Sequence, residues 1–332
     1  MNRLYILLAG TVLPLILSLS ASAQEPKVVS VRSVPMDRAS SEAPGYDRIA
    51  EALYEVIYAY DLRTAPQGDA PVQTDSQERS IVIRRQSPAP GQAPADTAKS
   101  VTDHYTTILQ FGAGQARFLD YLTYRVDSLA QAGAPDDQIT EAVDNTRKTV
   151  WFFEPVVFQN WPEGSLTVDD ILAPGTFTYT EPMQLEWSFG EGEKEVCGYP
   201  CREARTRYGG RDWTVWYTPG IPATFGPWKL GGLPGLILEA EDAEGLHHFS
   251  ATAVRRAACP IVRTQDATRD KTQRDRFVQR KNASGGSTLS NIPPESIRSI
   301  AVFKTNDGDG VISVNGVPIR LSSHVYVPLE LE

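Results

Sequence analysis

Histidine and cysteine are both scarce in this chain, at four and three among 332 residues. The arrangements that would announce a reaction are missing as well. There is no Gly-x-Ser-x-Gly elbow, no His-Glu-x-x-His pair and no phosphate-binding loop, so no catalytic residue, metal site or cofactor is assigned from motif. Basic stripes are also lacking. Asp and Glu outnumber Lys and Arg by 41 to 32, for a net charge of −9, and the acids are scattered along the chain. That balance argues against a nucleic-acid partner. No internal repeat is present, and after residue 23 no apolar run approaches the roughly 20 residues of a membrane span.

The one long apolar stretch lies at the start. Arg3 is followed by an uncharged run from Leu4 to Leu17, broken by Gly10 and Pro14, and then by Ala21-Ser22-Ala23 before Gln24. A basic start, a short apolar run and a small-residue site predict a secretory signal over residues 1–23, cleaved after Ala23. The mature protein is therefore expected in the periplasm or outside the cell, and not spanning the membrane. No cysteine follows the cut to mark a lipid anchor.

In an exported chain three cysteines suggest one disulfide and one leftover thiol. In an extended strand Cys197 and Cys201 would sit about 13 Å apart, beyond the roughly 7 Å Cα limit for a bridge. Pairing them would need Gly198-Tyr199-Pro200 to turn. Otherwise Cys259 takes one of them as a long-range staple.

Residues 24–45 read as a flexible leader, and 46–332 as a single β-rich domain with loop insertions near 86–99 and 263–290. Strand-like segments recur with turn punctuation. Tyr54–Tyr60 is dense in aromatic and β-branched residues. Tyr105–Phe111 and Arg117–Asp127 flank Gly112-Ala113-Gly114, and Glu195–Tyr208 meets Arg211–Tyr217 across Gly209-Gly210. Leu236–Ala240 meets His247–Val254 across Asp242–Gly245, and Val311–Val314 meets Val317–Leu321 across Asn315-Gly316. Pro135 with acids behind it, and Arg147-Lys148 at the far end, predict a helix over 135–148 with Ile139 and Val143 inward. Asp266–Asn282 is charged and fits a short helix or a solvated loop. Successive hairpins without a strand-helix-strand repeat imply a mainly β fold, a curved, largely antiparallel sheet, open or a partial barrel, with one packed helix near 135–149.

Gly232-Leu233-Pro234-Gly235-Leu236-Ile237 resembles the signature of the GLPGLI family of exported bacterial proteins. Gly198-Tyr199, Cys201, Ala204, Gly210-Arg211, Trp216-Tyr217-Thr218 and Phe225-Gly226-Pro227-Trp228 resemble the family's surrounding segments. Leu109-Gln110-Phe111-Gly112 and Pro328-Leu329-Glu330-Leu331-Glu332 resemble more distant landmarks. The resemblance implies a β-rich exported protein and supplies no catalytic residues. Cys197, the Pro/Ala-rich stretch near 86–96 and the charged stretch at 263–290 depart from it.

Pro219, Pro222, Pro227 and Pro234 each remove a backbone donor, so residues 219–234 cannot form a central strand. Pro234-Gly235 suits the centre of a type II turn leading into a buried strand. A stiff aromatic loop of this kind makes Phe225, Trp228, Leu233 and Pro234 the candidate partner-binding residues. The competing reading is that the aromatic rings pack in the core.

His247-His248 with Glu239 and Glu241 is the most suggestive polar cluster. Neighbours on a strand face opposite sides, so only one of the two histidines can join the carboxylates, which is thin for zinc. His104 and His324 read as structural. Asp307-Gly308-Asp309-Gly310 lacks the first and last ligands of a calcium loop and reads as a turn. The expectation is an exported protein that binds an outer-membrane or other envelope protein, a peptide or a lipid. The alternatives are a hydrolase-type enzyme with dispersed residues and a structural envelope component.

Overall fold

The computed structural model describes residues 45–64, 101–112, 114–135, 137–139, 153–172, 174–286 and 326–332. It also describes, as paired backbone alone, segments 2–8, 11–18, 29–30, 73–75, 80–84, 300–304, 310–314 and 317–319. One sheet of twelve strands dominates. In chain order these are β1 (Tyr46–Thr64), β2 (Val101–Gly112), β3 (Gln115–Asp120), β4 (Val156–Gln159), β5 (Ser165–Leu172) and β6 (Gly175–Pro182). They continue with β7 (Ser188–Val196), β8 (Tyr199–Tyr208), β9 (Arg211–Thr218), β10 (Leu236–Asp242), β11 (His247–Thr264) and β12 (Asp270–Lys271). The spatial order is β7-β8-β9-β10-β11-β1-β2-β3-β4-β5-β6-β12. Every neighbouring pair is antiparallel except the short β12, which lies parallel to β6. The mainly β, largely antiparallel class expected from the sequence is the class observed, and the sheet is open.

Alternation sets which face is buried. Val56, Tyr58, Tyr60 and Leu62 on β1 point inward at every second position, as do Arg211, Trp213, Val215 and Tyr217 on β9. Register shifts between β1 and β11 at Ala251/Ala253, Arg256/Cys259 and Ile261/Val262 are bulges, which increase twist and bend a sheet. The bend is large enough for opposite ends of the sheet to touch. Tyr208 on β8, second in the order, donates to Glu181 on β6, eleventh, at 2.9 Å. Between them lies an aromatic interior in which Tyr60 stacks on Phe249 at 4.3 Å and on Tyr105 at 5.3 Å, with Phe153 edge-on at 5.6 Å.

The strand expected over Arg117–Asp127 ends at Asp120, and helix α1 (Tyr121–Gln131) takes its remaining residues. The backbone turns at Asp120, whose Oδ1 accepts from the N–H of Leu122 at 2.8 Å and of Thr123 at 3.4 Å. Its other oxygen accepts from Phe153 N at 3.0 Å, so one carboxylate caps the helix and satisfies a buried amide. Burial pushes that carboxyl up to about 6 against the pull of the three amides. A buried Arg117–Asp127 ion pair fastens α1 to β3. Of the helix expected over 135–148, Pro135 is irregular, residues 137–139 are helical, and 136 and 140–148 lie outside the described residues.

Helix α2 (Arg274–Ala283) is the short helix of the two readings of Asp266–Asn282, within the insertion expected near 263–290. Asp275 in its first turn and Arg280 and Lys281 in its last match the helix dipole. Phe277 packs on Phe177 and Tyr179 of β6, each at 5.5 Å between ring centres. Among the described residues no helix is long and apolar enough to cross a membrane.

Candidate binding cleft

Between α2, segment 326–332 and the inner face of the sheet there is a small cleft that opens to solvent. Tyr60 and Tyr105 come from β1 and β2, Asp170 and Tyr179 from β5 and β6, Phe153 and Glu154 from the approach to β4, and Trp228 from the loop before β10. The lining is mainly aromatic and aliphatic, with its charges gathered at two points.

At the first, Lys281 Nζ lies 2.8 and 2.9 Å from the two oxygens of Asp170 and 2.8 Å from Glu154 Oε2. Burial raises the Asp170 carboxyl, Lys281 pulls it back and Glu154 pushes it up again. For Lys281 burial works against the charge, but Asp170 and Glu154 outweigh it and hold the ammonium above the ordinary lysine value. At the second point, Lys229 Nζ sits 2.6 Å from Glu181 Oε1 and 2.5 Å from Glu330 Oε1. Arg274 Nε donates to Glu330 Oε2 at 2.9 Å. The Lys229 ammonium also lies over the rings of Tyr179, Trp228 and Tyr208, at 4.9, 5.6 and 5.8 Å. Buried ions are tolerated when paired in this way and costly when one partner is removed.

The loop that the sequence singled out for partners is mostly interior. Phe225, Trp228 and Leu233 are exposed by only 4%, 1% and 1%, and Pro234 alone of the four faces solvent. Expecting all four at a contact surface is therefore corrected by burial, and the core reading of the rings holds. Trp228 adopts φ 53°, a left-handed conformation unfavourable for a bulky residue. It is held there by Tyr208 and Trp213, with ring centres at 5.5 and 5.6 Å, and by Gln159. The Gln159 amide donates to the carbonyls of both Gly226 and Trp228 at 2.7 Å. Gly235 is required for space rather than for a positive φ, since a Cβ there would meet Thr218 O at 2.3 Å.

His247 is fully buried. Tyr60 Oη lies 2.8 Å from its Nδ1, and Pro328 O accepts from Nε2 at 3.2 Å. Burial, reinforced by the Arg211 guanidinium, lowers its pKa to about 3 and keeps the ring neutral. His248 points the other way, to Glu239 at 3.2 Å, which raises its pKa. The pleat thus separates the two histidines as the strand pattern required. Among the described residues no group of three or more His, Cys, Asp or Glu side chains is arranged to hold a metal. His104 bonds Asp61 at 2.6 Å, while His324 and Asp307–Asp309 lie outside the described residues.

All three thiols are free, so neither pairing considered for them is formed. Cys197 and Gly198, at φ 52° and 79°, make the turn that joins β7 to β8 and splits the stretch 195–208 into a hairpin. Cys201 faces Lys194 across that hairpin. Cys259 is on β11, against Glu55 at 3.4 Å and Gln110 at 3.3 Å. Burial pushes the thiols of Cys201 and Cys259 up to about 11, which suppresses the reactive thiolate.

Sequence reasoning missed Glu154, Asp170, Glu181, Lys229, Lys281 and Glu330. Glu330 had appeared only within the Pro328–Glu332 landmark of the resemblance, with no role attached to its side chain. No family model matches the chain, and no curated protein does. Among solved structures, PNGF-II in two crystal forms, P21 and C2, is similar at 14% identity and a TM-score of 0.38 in each case. The matches cover 69% and 79% of this chain but 32% and 40% of those chains. The chain therefore spans less than half the length of those structures, and so loose a superposition bears on neither its fold nor its activity.

Proposed function

We propose that this is an exported, GLPGLI-type protein of the cell envelope that works by binding, and that its cleft takes a small, largely apolar ligand. The observation that carries the reading is the division of labour in the cleft wall. Aromatic and aliphatic side chains face the space, while the charged lining residues are paired, Lys281 with Asp170 and Glu154, and Glu330 with Lys229. A concave apolar surface with a few fixed polar groups is the usual form of a small-molecule site. Export rests on the signal pattern of residues 1–23.

Titration with the apolar dye 1-anilinonaphthalene-8-sulfonate tests the cleft. Saturable one-to-one binding is expected, weakened at least about ten-fold when Val278→Phe fills the space without changing the urea midpoint. Equal affinity in both proteins would remove the site. N-terminal sequencing of the protein from an envelope fraction should begin at Gln24, and a chain still starting at Met1 in the cytoplasm would end the export reading. The Asp170 and Glu154 pair on Lys281 is the one arrangement in the cleft suited to proton transfer, which a hydrolase would need. Ester or amide turnover abolished by Asp170→Asn would favour that second reading.

A further inference from the structure

Segment 326–332 forms no helix or strand, yet one wall of the cleft is built from it. Its attachments are unlike those of the sheet. Pro328 O accepts from Arg211 Nη2 at 2.7 Å and Nε at 3.2 Å, and Glu330 O accepts from Asn282 Nδ2 at 2.8 Å. Leu331 N donates to Gly209 O at 2.7 Å. The Glu330 carboxylate sits between Lys229 and Arg274. The Gly209-Gly210 turn is shaped to the segment, because a Cβ on Gly210 would come within 2.8 Å of Leu331 Cβ. Leu329 faces the cleft, and Leu331 is 47% exposed.

Side chains that grip main-chain carbonyls, a cationic seat for one carboxylate and a single strand-like amide bond are how proteins recognise extended peptides. Inside the groove Lys229 and Arg274 face Glu181 and Glu330. With Glu330 lifted out, two cations would face one buried carboxylate, so the empty groove selects an acidic side chain.

We infer that the groove bounded by the Gly209-Gly210 turn, Arg211, Lys229, Arg274 and Asn282 is a peptide-recognition site. Segment 326–332 is its built-in occupant, and it exchanges for an extended partner peptide in which an apolar residue precedes an acidic one. The groove shares Asn282, Leu329 and Glu330 with the cleft, but dye binding with Val278→Phe tests the small-ligand reading and peptide binding tests this one, so either can fail alone.

The test uses the full chain and a fluorescently labelled synthetic peptide of sequence 326–332, followed by anisotropy. A tethered occupant competes at an effective concentration of about millimolar, so wild type should bind the free peptide at least about ten-fold more weakly than Glu330→Gln. Leu329→Ala serves the same purpose should Glu330→Gln fail to fold. A peptide with Gln in the Glu330 position should lose at least about ten-fold in affinity for either variant. Arg274→Gln, added to the weakened chain, should lower its affinity for the unaltered peptide. Absence of saturable binding to all three chains would overturn the proposal, as would equal binding of the Gln peptide. Concentration-dependent dimers that the peptide fails to dissolve would overturn it too, by giving the groove to a second copy of the chain.

Discussion

Loop 219–235 and segment 326–332 both run without regular structure against one aromatic interior, and Trp228 and Leu329 line the same cleft. They are anchored by different means. The loop buries Phe225, Trp228, Leu230 and Leu233 and closes part of its own backbone, with Gly232 N on Thr224 O at 2.7 Å and Ile237 N on Phe225 O at 3.0 Å, while Gln159 and Trp187 hold three of its carbonyls. Segment 326–332 depends on four cationic or amide side chains contributed by other elements, Arg211, Lys229, Arg274 and Asn282. Proline and aromatic content thus marks a plug that stays, whereas borrowed side-chain bonds mark a wall that can leave.

The comparison breaks first at Trp228. Trp228→Ala should cost about 3 to 5 kcal/mol in urea unfolding, and a loss below about 1 kcal/mol would mean the loop is not core. Lys229→Met strikes both regions, since Lys229 belongs to the loop and grips Glu330 of the segment. It strands buried carboxylates, although Arg274 still reaches them, and should cost about 3 kcal/mol.

Next in size is a pH effect. The folded pKa of His247, about 3, lies below its unfolded value of about 6.5, so the unfolded chain binds the extra proton and folding weakens as pH falls below 6.5. Between pH 7 and 4.5 wild type should lose about 2 to 3 kcal/mol relative to His247→Gln, measured by urea unfolding at both pH values. Asp120, raised to about 6, acts in the opposite direction but is common to both proteins. The smallest effect belongs to His248, whose pKa is raised by Glu239. Its contribution is complete below pH 6.5 and fades as pH rises through the folded value, so His248→Ala should cost at most about 1 kcal/mol at pH 5.5 and less at pH 8.5.

What was legible in the sequence follows from which interactions are local. The hairpins at Gly209-Gly210 and Gly245 could be read because turn chemistry is written in adjacent residues, and φ is positive at all three glycines. Helix α1 could not, because its apolar residues continue the strand pattern of Phe118-Leu119 and its start depends on what Asp120 bonds in three dimensions. Cys197 and Gly198 were read as part of a strand because a two-residue turn with a non-glycine at positive φ has little sequence signature. The cleft was invisible for a stronger reason. Glu154, Asp170 and Lys281 meet only because strands and a helix far apart in the chain converge, and no spacing rule encodes that meeting. The resemblance drew attention to the loop at 219–235 and to Pro328–Glu332, but gave no hint that the second is seated beside the first.

Native-state hydrogen exchange compares the two regions most directly. The amides of Gly232 and Ile237 should open only with global unfolding, while that of Leu331 should open through a smaller fluctuation, about 2 kcal/mol or more below the global value. Equal protection of Leu331 and Ile237 would show that segment 326–332 is as fixed as the loop, contradicting the account of a removable wall.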